Sequence, residues 1–422
     1  MEVSVRRIPT SAVVLAIAAV VAAPCRGVLA QDGVHRVTMA AALESFASSS
    51  LELRIARADA EAAIGTARQY RTYANPDFSL VHESLGSANG GYRETIAGVA
   101  QRVEWPGRTA ARSGVAMHAI GGASARFRAD SVRLAFQVRE AYVAAWLAEE
   151  RERTTREAEA VIRLVAEAAR ERLEVGDISL YEARRFELEL VQAEREVAEA
   201  ALEARSVRRT LAVLISPEGG VDEAGPAEAI AGLPPVVTHA SALAALSRRP
   251  DLEAAARDLD AARARSNVAM TAWLPDPTLG LGYKDQTDGF SGAALSVALP
   301  VPVFDRGTGR RYGAAAQETA AAHRLDLARR LAEIDLIAAA DRYTATRAQL
   351  EATGEDPSDD ADFLLRTART LYAEGEMSQL ELLDAAAVFR DARIATLSLR
   401  GAAWIAYYDL LRAMARAPGE ES

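Results

Sequence analysis

Asn75-Pro76-Asp77-Phe78-Ser79-Leu80 returns later in the chain as Asp276-Pro277-Thr278-Leu279-Gly280-Leu281. Two more segments return at almost the same distance. Ser50-Leu51-Glu52-Leu53 matches Arg249-Pro250-Asp251-Leu252, and Gly176-Asp177-Ile178-Ser179 matches Gly375-Glu376-Met377-Ser378. The offsets lie between 199 and 201 residues, so two copies run with almost no insertion. Spacing of this kind marks an internal repeat. Each copy reads as helix, two strands, very long helix, tight turn and helix. The expected fold is mainly α with a small β part.

The first copy spans 31–215, with strands near 76–86 and 92–104, a long helix over 108–175 and a returning helix over 179–214. A connector at 216–238, rich in Pro and Gly, joins it to the second copy at 239–416. There the strands are expected near 277–284 and 291–301, the long helix over 307–374 and the last helix over 378–416, with a tail at 417–422. Gly354 and Pro357 predict a break near 354–357, because proline removes a helix hydrogen bond and crowds the preceding turn.

In the strand segments Leu279, Leu281 and Tyr283 alternate with glycine, and Ala293, Leu295, Val297 and Leu299 with smaller residues. Phe78 and Leu80 open the matching strand of the first copy, and Thr95, Ala97, Val99 and Val103 share a face of the next. Runs of about ten residues suit a tilted transmembrane strand. Alternation alone fits two soluble hairpins equally well. The helices say more. No proline interrupts 108–175, which at 1.5 Å per residue is roughly 100 Å of helix. After the turn, Ala183, Phe186, Leu190, Ala193, Val197, Ala200, Ala204, Val207, Leu211 and Leu214 form an unbroken heptad seam. The last helix carries two seams, one through Leu382, Phe389 and Leu410 and one through Leu380, Leu383, Trp404 and Leu411, and so needs neighbours on two sides.

If the hairpins sit in a membrane, four strands cannot close a barrel. An open edge in hydrocarbon leaves backbone groups unpaired at several kcal/mol each, and the smallest barrels need about eight strands. Oligomerisation then follows, though the number of chains does not.

Half of the 422 residues are apolar but only 6% are aromatic, a balance suited to close helix packing through small side chains. The net charge of −10 argues against binding nucleic-acid phosphates. Arg6 and Arg7 before the apolar run Ala12 to Ala23, then Val28-Leu29-Ala30, read as an export signal over 1–30 cleaved after Ala30. Cys25 is the only cysteine. Pro24 suits a lipoprotein processing site poorly, and cleavage after Ala30 leaves no thiol for a disulfide or metal. His35, His82, His118, His239 and His323 never pair at metal-ligand spacing, and no nucleophile elbow or phosphate-loop ending follows Gly307-Thr308-Gly309. Neither an enzyme, a cofactor nor a resident metal is expected.

On these segments the chain resembles the TolC-like outer-membrane efflux channels. The resemblance covers nearly all of both copies. Arg249-Pro250-Asp251-Leu252, Asn75-Pro76, Asp276-Pro277 and the run Leu299 to Gly307 carry it, and Val103-Glu104-Trp105-Pro106-Gly107-Arg108 is similar to the heavy-metal-cation branch. Ser48-Ser49-Ser50-Leu51 departs from the Asn-Pro usual there. The resemblance implies a homotrimer in the outer membrane of a Gram-negative bacterium, with a twelve-stranded transmembrane barrel above an α-helical tunnel. A periplasmic adaptor and an inner-membrane pump would be its partners. It implies that the turns at Gly176 and Gly375 form the periplasmic tip that meets the adaptor, that Glu381 and Asp384 line a gate, and that Tyr372 and Glu182 form a latch. Met377 stands where some relatives place a basic latch residue. A soluble periplasmic coiled-coil adaptor and the exit channel of a type I secretion system remain alternatives.

Overall fold

The computed structural model describes residues 33–87, 90–105, 107–216, 219, 221–271, 273–353 and 357–416. The export signal, Cys25, Pro106, Gly354 and the tail lie outside them. Strand β1 (His35–Val37), helices α1 (Met39–Ser49) and α2 (Leu51–Gln69) and the hairpin β2 (Asp77–Ser87) and β3 (Gly90–Arg102) come first. Helices α3 (Arg108–Glu174) and α4 (Leu180–Ile215) follow, then strand β4 (Ala224–Pro226) and helices α5 (His239–Ala245) and α6 (Pro250–Met270). The second hairpin is β5 (Thr278–Gln286) and β6 (Ser291–Ala298), followed by α7 (Thr308–Ala352), α8 (Pro357–Ala373) and α9 (Gln379–Ala413).

The expected strand to 301 stops short, at Ala298. Pro300 and Pro302 explain the difference, since neither has an N–H to donate to a ladder. α7 ends at Ala352 and α8 begins at Pro357, a first helical position where a missing donor costs nothing; most of the expected break lies outside the described residues.

β2, β3, β5 and β6 form one antiparallel sheet in that order, so the two hairpins lie side by side. Its register aligns Phe78 with Val99, Val99 with Leu281 and Leu281 with Leu295, an apolar row across all four strands. That face is bare: Phe78, Leu281 and Leu295 are 73%, 65% and 79% exposed. The other face carries Ser79, Gly98, Gly282 and Ala294 in one row. Glycine is needed there, because a Cβ on Gly282 would meet the Ala97 carbonyl oxygen at 2.8 Å.

α3, at 67 residues, is the spine, packing on α2, α4, α6 and α9. All ten residues of the α4 seam are buried or half-buried. The connector crosses the middle of the helices, where β4 pairs with β1 in parallel and Tyr343 donates its hydroxyl to the carbonyl oxygen of Pro235 at 2.5 Å. Near the far end, Val161, Val165, Phe186, Leu365, Leu382 and Phe389 form a separate core. Among the described residues no helix is long and apolar enough to cross a membrane.

Candidate functional site

The two helix reversals farthest from the sheet are built alike. Gly176 and Gly375 take φ of 75° and 78°, the left-handed region that side chains with a Cβ avoid. At the first, Asp177 N–H bonds the Arg172 carbonyl at 2.8 Å and Gly176 N–H that of Leu173 at 3.0 Å. At the second, Glu376 bonds Leu371 at 2.9 Å and Gly375 bonds Tyr372 at 3.1 Å. This pair of hydrogen bonds closes each helix end and satisfies carbonyls that would otherwise be orphaned. Ser179 and Ser378 then start α4 and α9 through reciprocal bonds with Glu182 and Glu381.

Glu182 and Glu381 therefore have a local task. Each accepts the backbone N–H and the hydroxyl of its serine, at 2.9 and 2.8 Å for Glu182 and 2.8 and 2.7 Å for Glu381. Hydrogen bonds from the serine backbone and hydroxyl lower both carboxyl pKa values, outweighing slight desolvation. Tyr372 packs against the tip core, and the hydrogen bonds of the described residues include none between it and Glu182. Glu381 and Asp384 are exposed on one side of α9. With Arg185, Gln192, Leu380 and Leu383 they line a groove of about 970 Å³ between α4 and the second tip.

Sequence reading missed the ion pairs that bind α9 to its neighbours. Arg390 reaches Glu196 of α4 at 2.9 Å, and Arg393 reaches Asp362 of α8 at 2.5 Å. Their partners lie far along the chain, so no local spacing signals them. At the sheet end, Arg108 bonds Asp276 at 2.5 Å and the Thr271 and Leu274 carbonyls at 2.6 and 2.8 Å, while the Trp105 indole donates to Pro275 at 2.7 Å. The segment around Trp105 thus clamps the start of the second hairpin.

The histidines of the described residues stand apart from these features. His82 bonds Thr95 at 2.8 Å, and His118 stands 3.8 Å from Asp260. Among the described residues no group of three or more His, Cys, Asp or Glu could hold a metal ion.

What the arrangement offers is a long helical stalk with paired tips at one end and a bare apolar sheet at the other. Residues 243–416 match the outer membrane efflux protein family. That match covers the second copy and its helices, and over those residues the chain is similar to the family. CzcC, the cobalt-zinc-cadmium resistance protein of Cupriavidus metallidurans, is 26% identical over 399 residues, 92% of each chain. NccC, the nickel-cobalt-cadmium resistance protein of Alcaligenes xylosoxydans xylosoxydans, is 28% identical over 286 residues, 66% of this chain and 63% of that one. The solved structure of CusC shares the fold, with a TM-score of 0.72 at 18% identity over 90% of this chain and 93% of that one.

Proposed function

We propose that this chain is the exit duct of a tripartite efflux pump, working as a trimer that carries divalent metal cations out of a Gram-negative cell. The observation that carries the proposal is the four-stranded sheet. One of its faces is exposed and apolar, and its outer strands β2 and β6 pair with no further strand among the described residues. A bare apolar face of this kind belongs in hydrocarbon, where each open edge must find a partner. Three copies joining β6 to β2 would supply twelve strands, and three sets of helices roughly 100 Å long would continue them as a tunnel. The matched offsets and the recurring order of elements favour two copies of one unit, divided by the connector at 216–238. The kinship with CzcC and NccC favours heavy-metal cations as cargo.

In this reading the export signal is removed after Ala30 and the tips at Gly176 and Gly375 meet a periplasmic adaptor. Glu381 and Asp384 narrow the tunnel there, and Tyr372 and Glu182 act between helices when it is closed. A soluble adaptor explains the stalk but leaves the apolar sheet face without purpose. Native mass measurement in detergent should give three copies, extracted with the outer membrane. A stable water-soluble monomer would sink the proposal. Cells lacking the gene should lose resistance to cobalt, zinc or cadmium while the pump and adaptor remain; undiminished resistance to all three would remove the metal assignment.

A further inference from the structure

On the sheet face opposite the apolar row, Glu94 of β3 collects three donors. Lys284 of β5 stands 2.9 Å from its Oε1, and Oε2 accepts Tyr92 at 2.6 Å and Gln286 at 2.9 Å. Lys284 is the single lysine of the chain. The bridge joins the two hairpins, and Glu83 lies in register beside Glu94. Because the apolar face must meet lipid, this face turns to the lumen. The level is also fixed. Tyr283 belongs to the apolar band, whereas Thr95, Asp285 and Thr287 beyond it are polar and lead to the hairpin turns. The bridge therefore sits where the barrel opens to the exterior, at the end opposite the helical tips.

We propose that Glu94 and Lys284 form the exit-side selectivity element of the duct. The inference rests on the channel reading above. Lys284 neutralises Glu94 in each chain, so the outer mouth passes cargo without holding it. Without the ammonium, three copies would present a ring of carboxylates from Glu94 and Glu83 that retains cations. The side chain of Lys284 is 36% exposed and that of Glu94 16%, so the amine is the reachable partner.

The test is the reversal potential of purified trimers in planar bilayers under a potassium chloride gradient. Lys284→Met should raise the potassium-to-chloride permeability ratio about fivefold, since one unmasked charge a few ångströms from the path is worth about 1 kcal/mol in water. Glu94→Gln should lower the ratio, the double variant should return near wild type, and Lys284→Arg should leave it unchanged. A membrane-impermeant acylating reagent added on the strand side should shift wild type as Lys284→Met does and leave Lys284→Met channels unmoved. That arm needs no refolded variant. Equal ratios in wild type, both single variants and acylated channels would overturn the proposal while leaving the channel intact. A wild-type protein that forms no channels would overturn the channel reading, and this inference with it.

Discussion

Arg249 is nearly enclosed, yet its guanidinium meets Asp251 at 2.8 Å, Asp335 at 2.9 Å and the Ala413 carbonyl oxygen at 2.9 Å. Asp335 also takes Arg412 at 2.7 Å, so one carboxylate ties the start of α6 to α7 and α9. Burial alone would raise the Asp335 pKa, but hydrogen bonds from Arg412 and Arg249 outweigh it and leave the value lowered. A carboxyl whose folded pKa is depressed gives stability that is present above its unfolded pKa, about 3.9, and is lost as pH falls through the folded value. Asp335→Asn should therefore cost about 1–2 kcal/mol at neutral pH, a partly buried pair being worth less than a fully buried one. It should also flatten the loss of stability below about pH 4. Denaturation midpoints in detergent across pH check both, and a variant with the wild-type acid slope would contradict them. In the structure Arg249-Pro250-Asp251-Leu252 opens α6, with Pro250 and Asp251 in the first turn, and from sequence it was legible as a repeated segment that carries the family resemblance. Its partners Asp335 and Ala413 were not, since they lie 86 and 164 residues away.

Helix α4 was readable in full because a heptad seam is a local pattern and its neighbour α3 precedes it by one turn. Helix α9 was readable only in part. Leu382, Phe389 and Leu410 of its first seam are buried, but of the second Leu380 is 50% exposed near the tip while Tyr408 and Leu411 are buried farther along. The uncovered part of that seam needs a neighbour that one chain does not supply, which is where a second copy would lie in the proposed trimer. Beside the apolar tip core, two arginines tie α9 to its neighbours within one chain, Arg393 to Asp362 and Arg390 to Glu196. Arg393→Met keeps the apolar length of the side chain and removes the bond to α8. The bond is partly exposed and so worth about 1 kcal/mol, enough to raise local opening severalfold without unfolding the trimer. Amide exchange in α8 and the first turns of α9 should quicken, and channel openings should become longer or more frequent. Unchanged exchange there would mean that the tip core of Val165, Phe186 and Leu382 fixes the helices alone.

At the scale of the whole molecule the proposed trimer turns Glu381 and Asp384 from a feature of one helix into a ring. They lie six and nine residues past Gly375, within about 14 Å of the reversal at 1.5 Å per residue. Three copies would bring six carboxylates around the axis. Two effects then act on Glu381 in opposite directions: bonds from Ser378 lower its pKa within one chain, and repulsion among copies raises it. The capping bonds favour the charged form, so the ring should stay largely ionised at neutral pH and attract cations. Glu381→Gln combined with Asp384→Asn deletes this field while keeping a residue at Glu381 that can still complete the capping box. Trimers should form as before. The cation-to-anion permeability ratio should fall at least about twofold at low salt, and the difference should shrink at 1 M salt, where the Debye length is about 3 Å. The sidedness of block separates this ring from the Lys284 bridge at the other end. Multivalent cations added on the helix side should block the double variant less than wild type, whereas block from the strand side should be the same in both. Block that is equal from the helix side would place both carboxylates on an outward, solvated face of α9, and the constriction would then have to be sought among other residues of the two tips.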